Sequence, residues 1–107
     1  MSISTQGTYY LLTPFEGRDE NGTINPTGFA VSWAFLAQDA TPVLATTWYT
    51  GSWVTITQAN IPTFYKARVK VGPGGVVALT AGSYDCWVKA VGVTETPIQF
   101  VGTLLVV

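Results

Sequence analysis

Histidine is absent from this chain of 107 residues, and cysteine and charged side chains are scarce. Without histidine, general-base catalysis at neutral pH, every Ser-His arrangement and most metal sites lose their commonest participant. Cys86 is the only cysteine, so no intrachain disulfide can form. The sequence predicts a protein that is not an enzyme and that has no catalytic residue, no metal site and no cofactor.

The low charge also bears on partners. Charged residues make up 10% of the chain and the net charge is −1, whereas an ordinary soluble protein is about 25% charged. Such a chain has no general attraction to nucleic acid. The first seven residues hold neither a basic segment nor a long apolar one, and no apolar run reaches ~18 residues, so we expect no signal segment, no membrane partner and synthesis in the cytoplasm. A charge-poor surface favours contact with other protein chains, in a homo-oligomer or a many-copy lattice.

The apolar pattern has the period of β-strands throughout. A first strand is expected over residues 8–13, and the polar segment 16–28 is expected to be a long mobile loop. Beyond it, one face of the next strand is aromatic and aliphatic and is predicted to lie in the core. The residues of that face are Phe29, Val31, Trp33 and Phe35.

Three further patterns predict the second half of the fold. Residues 43–49 and 53–57 flank a glycine-containing turn, which predicts a hairpin. Residues 64–71 alternate between an apolar and a basic face, and the glycine-rich turn that follows requires positive φ. Residues 76–79, 84–91 and 98–107 read as three more strands.

The segment around Gly82 and Tyr84 is the most informative in the chain. Gly82 allows a sharp turn, and a tyrosine two residues before an inward strand residue is the pattern of a tyrosine corner, whose hydroxyl bonds back to the backbone. Together with the strand count, it predicts one domain over residues 1–107. The predicted fold is an immunoglobulin-like antiparallel β-sandwich of about seven to nine strands, with no disulfide.

Two sets of residues are candidates for protein contact. Trp87 alternates with the inward residues of its strand and is expected to face outward, against another chain. The basic side chains are interpreted as the solvent face of an outer strand, as a weak phosphate site, or as a surface that pairs with the acidic loop of a neighbouring subunit. The residues of these alternatives are Lys66, Arg68 and Lys70 on the strand, and Glu16, Arg18 and Asp19 in the loop.

An aromatic cluster around the predicted hairpin supports a second hypothesis. Trp48, Tyr49 and Trp53 lie close together in the sequence, and two indoles beside a turn can form a flat platform for a sugar ring. Alternatively, Trp48 and Trp53 are cross-strand partners, or one of them fills the core. The first reading predicts a module that binds host-surface glycans.

The C-terminal third of the chain resembles a group of known proteins. The segment from Val71 to Lys89, with its Gly-Pro-Gly-Gly turn, Gly82 and Tyr84, and the later Glu-Thr-Pro-Ile and Gly-Thr-Leu stretches carry the similarity. It resembles small virion proteins of tailed bacteriophages of actinobacteria. The resemblance implies an immunoglobulin-like virion component made in the host cytoplasm, such as a capsid decoration or minor head protein that contacts the capsid protein. A tail structural subunit is the alternative location, and the resemblance brings no catalytic or ligand-binding residues.

Overall fold

The structure is a computed structural model that describes residues 2–14, 17–19, 22–24, 28–43, 46–92 and 96–107. The described part is built from β-strands and contains no α-helix. Its strands are β1 Ser2–Ile3, β2 Tyr9–Pro14, β3 Gly17–Asp19, β4 Gly22–Ile24, β5 Ala30–Ala37, β6 Tyr49–Thr50, β7 Ser52–Gln58, β8 Ile61–Val71, β9 Gly82–Val91 and β10 Ile98–Val106.

Two sheets form a sandwich-like arrangement. The five-stranded sheet has the order β1-β10-β9-β5-β6, and the three-stranded sheet has the order β2-β8-β7. All pairs within them are antiparallel except β1 and β10, which run parallel. The predicted all-β sandwich without a disulfide is confirmed.

The core lies between the sheets and is filled by alternate residues of the long strands. Cys86, Val88 and Ala90 of β9 are fully buried, as is Trp33 of β5. Because β-strand side chains alternate in direction, these residues share one face of the five-stranded sheet. The opposing sheet contributes Ala67, Val69 and Val71. The aromatic face predicted for β5 is confirmed: Val31 and Trp33 are buried, and Phe29 and Phe35 pack against them.

The hairpin predicted around Gly51 is wrong. Tyr49 and Thr50 pair with β5 in one sheet, whereas Ser52 pairs with β8 in the other, so the chain crosses between the sheets at Gly51. A Cβ at Gly51 would lie 2.7 Å from the Arg68 carbonyl oxygen and 2.8 Å from Cδ1 of Trp33. Gly51 therefore allows the chain to pass close to Arg68 and Trp33. In a sequence, such a glycine looks the same as a glycine that forms a turn.

Three other predictions need correction. Within the predicted loop 16–28, β3 and β4 pair as a short antiparallel ladder; the ladder is formed by backbone N–H and C=O groups, which polar residues carry as apolar ones do. Residues 76–79 form no strand; Val77 makes a single bridge to Val71. The strand with the basic face, β8, is the central strand of its sheet rather than an outer one. Its basic side chains lie on the outer face of that sheet, so a central position buries only its apolar face.

The corner at the start of β9 is built as the sequence predicts. Gly82 has φ +154°, and the Tyr84 hydroxyl donates a hydrogen bond to the Thr80 carbonyl oxygen at 2.8 Å. The same hydroxyl lies 3.1 Å from the Thr80 hydroxyl. Tyr84 therefore fixes the chain direction just before the central strand of the five-stranded sheet.

We expect Tyr84→Phe to lower the free energy of unfolding by about 1 kcal/mol, because it removes this hydrogen bond and keeps the ring. Urea unfolding followed by circular dichroism measures the loss. Tyr49→Phe is the matched control, since the Tyr49 ring packs 6.1 Å from that of Phe35 and its hydroxyl has no hydrogen-bond partner among the described residues. Equal effects of the two substitutions would contradict a structural role for the corner.

Candidate functional site

Trp87 lies on the outer face of the five-stranded sheet, as predicted. In the register of the sheet it stands between Ala34 of β5 and Phe100 of β10. The Trp87 and Phe100 rings meet edge to face, with centroids 5.3 Å apart. Phe100 is 51% exposed and neighbouring Ile98 is 48% exposed. These three residues form an apolar surface that we call the Trp87 face.

A β-bulge in β10 places Phe100 on the Trp87 face. The register shifts between Phe100 and Gly102, so Val101 packs against the core while Phe100 stays outside. The bulge adds one residue to β10, so Gly102 pairs with the inward-facing Cys86 and the alternation of inward and outward residues continues from there. The exposed position of Phe100 was not singled out from the sequence, because single-sequence periodicity does not locate a bulge.

Asp85 is a buried carboxylate beside the Trp87 face. Its Oδ2 accepts a hydrogen bond from the Asp39 backbone N–H at 2.8 Å, and its Oδ1 accepts one from the Thr103 hydroxyl at 3.0 Å. Asp39 has φ +69° in the turn that ends β5. Asp85 thus ties this turn to β10, and both oxygens have partners within the fold.

The basic side chains of β8 lie over aromatic rings of the outer face of the three-stranded sheet. The Arg68 guanidinium is 4.8 Å from the centroid of the Tyr10 ring, and Arg68 Nε donates to the Ser52 hydroxyl at 3.2 Å. Lys70 lies 5.8 Å from the same ring, and Lys66 lies 6.0 Å from the Phe64 ring. All three cations therefore lie within about 6 Å of a ring centroid, the range of a cation–π contact. We call the surface formed by Lys66, Arg68 and Lys70 the basic face.

The predicted partners of the basic face are charged residues of the loop 16–28. Glu16 lies outside the described residues. The backbone of Arg18 and Asp19 belongs to β3, but their side chains lie outside the described part. The pairing of these residues with a neighbouring subunit stays a prediction.

The structure separates the residues of the predicted sugar platform. Tyr49 and Trp53 lie in different sheets, and both pack against the core. The Trp53 indole N–H donates to the Phe29 carbonyl oxygen at 2.9 Å. Trp48 instead lies on the outer side of the five-stranded sheet, where the Lys89 ammonium is 4.3 Å from its ring centroid. The three side chains do not form a single flat surface.

A pocket of about 490 Å³ adjoins Trp48 and Lys89. Its remaining walls come from the connection between β5 and β6 and from the start of β10. It is lined by Pro42, Val43, Trp48, Lys89, Thr96 and Ile98. Sequence reasoning found Trp48 but missed Lys89, because strand pairing alone brings the two together.

Cys86 has no access to solvent. Burial, with the negative charge of Asp85 adding to it, raises the pKa of the Cys86 thiol to about 12. The described residues include no group of three or more His, Cys, Asp or Glu side chains placed to hold a metal ion. In the same part of the chain, no helix has the length and hydropathy needed to cross a membrane.

Comparisons of the chain with protein-family models, with curated proteins and with solved structures gave no match.

Proposed function

We propose that this protein is a non-enzymatic structural component of a bacteriophage particle, with an immunoglobulin-like fold, and that it docks on the capsid lattice through the Trp87 face. A capsid decoration or minor head protein is the role that this proposal assigns. The edge-to-face pair of half-buried Trp87 and exposed Phe100 on the outer face of the sheet is the observation that carries it.

The strand order supports the immunoglobulin-like assignment. In that fold one sheet contains strands B, E and D, and the other contains strands C, F and G. Here the order β2-β8-β7 corresponds to B-E-D, and β5-β9-β10 corresponds to C-F-G. The buried Trp33 on β5 and the Tyr84 corner at the start of β9 occupy the positions of two hallmarks of the fold.

The composition of the Trp87 face supports docking. Aromatic residues are enriched in the cores of protein interfaces, where charged residues are depleted. Trp87, Ile98 and Phe100 are apolar and adjoin one another on β9 and β10. Attachment in many copies requires only modest affinity from each subunit, since simultaneous contacts multiply retention. A face of this kind therefore suits a lattice-bound subunit.

Particles of the encoding phage assembled without this protein provide the test. Purified protein is added, and the bound fraction is measured by sedimentation. We expect the wild type to bind and the Trp87→Ser/Phe100→Ser variant to bind at least about tenfold more weakly, because a desolvated aromatic anchor contributes about 2 kcal/mol or more. Circular dichroism checks that the variant is folded.

The opposite sheet provides the matched control. Tyr10 and Leu12 are 53% and 46% exposed on the outer face of the three-stranded sheet. Tyr10→Ser/Leu12→Ser should leave binding within about twofold of the wild type. The proposal fails if the wild type does not bind, or if the control variant loses as much binding as the Trp87 variant. Electron microscopy of labelled particles separates attachment to the head from attachment to the tail.

A further inference from the structure

The pocket beside Trp48 has the size and lining of a small-ligand site. Its volume of about 490 Å³ lies in the range of roughly 300 to 1,000 Å³ that is typical of ligand pockets, which are mainly apolar with a few polar groups. Pro42, Val43 and Ile98 supply apolar walls, and Trp48 supplies an aromatic ring. Lys89 and Thr96 are the polar groups. We call this the Trp48 pocket.

Lys89 is held in place by its neighbours. In the register of the sheet it stands between Ser32 of β5 and Ile98 of β10, which directs its side chain across the outer face. Its ammonium lies 4.3 Å from the centroid of the Trp48 ring, within the range of a cation–π contact. An ammonium has three N–H donors, and a π-face does not replace the oxygen acceptors that they bond. Lys89 thus presents donors to an anion at the wall of an apolar pocket.

Hydrogen bonds to the backbone flank the pocket on two sides. The Val43 N–H donates to the Thr46 hydroxyl at 2.8 Å, and the Thr46 N–H donates to the Val43 carbonyl oxygen at 3.0 Å. On the other side, the Ala90 N–H donates to the Pro97 carbonyl oxygen at 3.1 Å. Val43 and residues 96–98 thus lie next to hydrogen-bonded backbone, and contacts that are formed before binding lower its ordering cost.

We propose that the Trp48 pocket binds a six-membered ring that bears a carboxylate, such as a uronic acid. The carboxylate accepts hydrogen bonds from the Lys89 ammonium. The ring lies against Trp48 and the apolar walls, because its C–H groups carry partial positive charge and the indole face is negative. The Thr96 hydroxyl serves as donor or acceptor to a ring substituent. This site goes beyond the proposed structural role, and it uses Trp48 without Tyr49 or Trp53.

Nuclear magnetic resonance on the purified protein tests the site directly. The chain has four tryptophans, and each gives an indole N–H signal that a Trp→Phe variant assigns. Titration with glucuronate should shift the Trp48 signal and leave those of Trp33 and Trp53 in place. Glucose, which lacks the carboxylate, should bind at least about tenfold more weakly. Glucuronate and benzoate both present the proposed chemistry, and their relative affinities distinguish a sugar acid from an aromatic acid.

Three variants decide the roles of the side chains. Lys89→Gln should weaken glucuronate binding about tenfold, whereas Lys89→Arg should retain most of it. Lys66→Gln on the opposite sheet removes one lysine charge from the protein without touching the pocket, and it should bind as the wild type does. The proposal is overturned if glucuronate and benzoate leave the Trp48 signal unmoved, if glucose binds as tightly as glucuronate, or if Lys66→Gln weakens binding as much as Lys89→Gln. Because no phage particle is used, these results are independent of the docking proposal.

Discussion

Replacing Trp33 with alanine is expected to lower the free energy of unfolding by about 3 to 5 kcal/mol, the usual cost of truncating a fully buried tryptophan. Among the described residues, Trp33 is the largest side chain that has no solvent access. Its ring stacks on that of Phe35 with centroids 6.4 Å apart, and its Cδ1 lies close to the backbone of Gly51. Alanine would leave a cavity where the two sheets meet. Since small domains are stable by only about 5 to 15 kcal/mol, this single change removes a large share of the total.

Trp33→Phe separates the contribution of packing from that of hydrogen bonding. The Trp33 indole N–H is buried and has no acceptor among the described residues. Phenylalanine keeps an aromatic ring in the core and breaks no hydrogen bond within that part of the chain, so we expect a clearly smaller loss than for alanine. Urea unfolding followed by circular dichroism measures both variants without relying on tryptophan fluorescence. A Trp33→Ala protein that unfolds within about 1 kcal/mol of the wild type would contradict the assignment of this residue to the core.

Local sequence patterns predicted the long strands β5, β8, β9 and β10 and the buried faces of the first three. Alternation identified Val31 and Trp33 as core residues, and the spacing from Gly82 to Tyr84 predicted the hydrogen-bonded corner. Both features depend on residues close together in the chain. Strand period and turn chemistry act over such short distances, so a single sequence contains the information.

The sequence could not predict which strands pair. The glycine between Thr50 and Ser52 has the pattern of a hairpin, yet the two flanking strands belong to different sheets. Pairing depends on the packing of Gly51 against Trp33 and the Arg68 backbone, which are distant in the chain. The same limit applies to the candidate sites. Trp48 was predicted to act with Tyr49 and Trp53, whereas strand pairing places it beside Lys89.

The thiol of Cys86 is expected to resist alkylation in the folded protein and to react readily in urea. Burial raises its pKa from 9.0 to about 12, and the nearby Asp85 charge adds to the shift. Only the thiolate is nucleophilic. Near pH 8 these pKa values correspond to a thiolate fraction of roughly one in ten when unfolded and about one in ten thousand when folded. We therefore expect iodoacetamide to modify the folded protein at least ~1,000-fold more slowly, with mass spectrometry as the measurement.

A second cysteine, added at an exposed position of the same strand, serves as a control for the labelling of Cys86 within one protein. Ser83 is exposed on β9, so the Ser83→Cys variant should gain one label rapidly while folded and a second only when unfolded.

The raised pKa of Cys86 also determines how the stability of the protein changes with pH. Above about pH 9 the unfolded thiol ionises while the folded thiol stays protonated up to about pH 12, so stability should fall across that window. Cys86→Ala removes this ionisation and should flatten the decline. Rapid labelling of Cys86 in the folded protein would contradict its burial in the core.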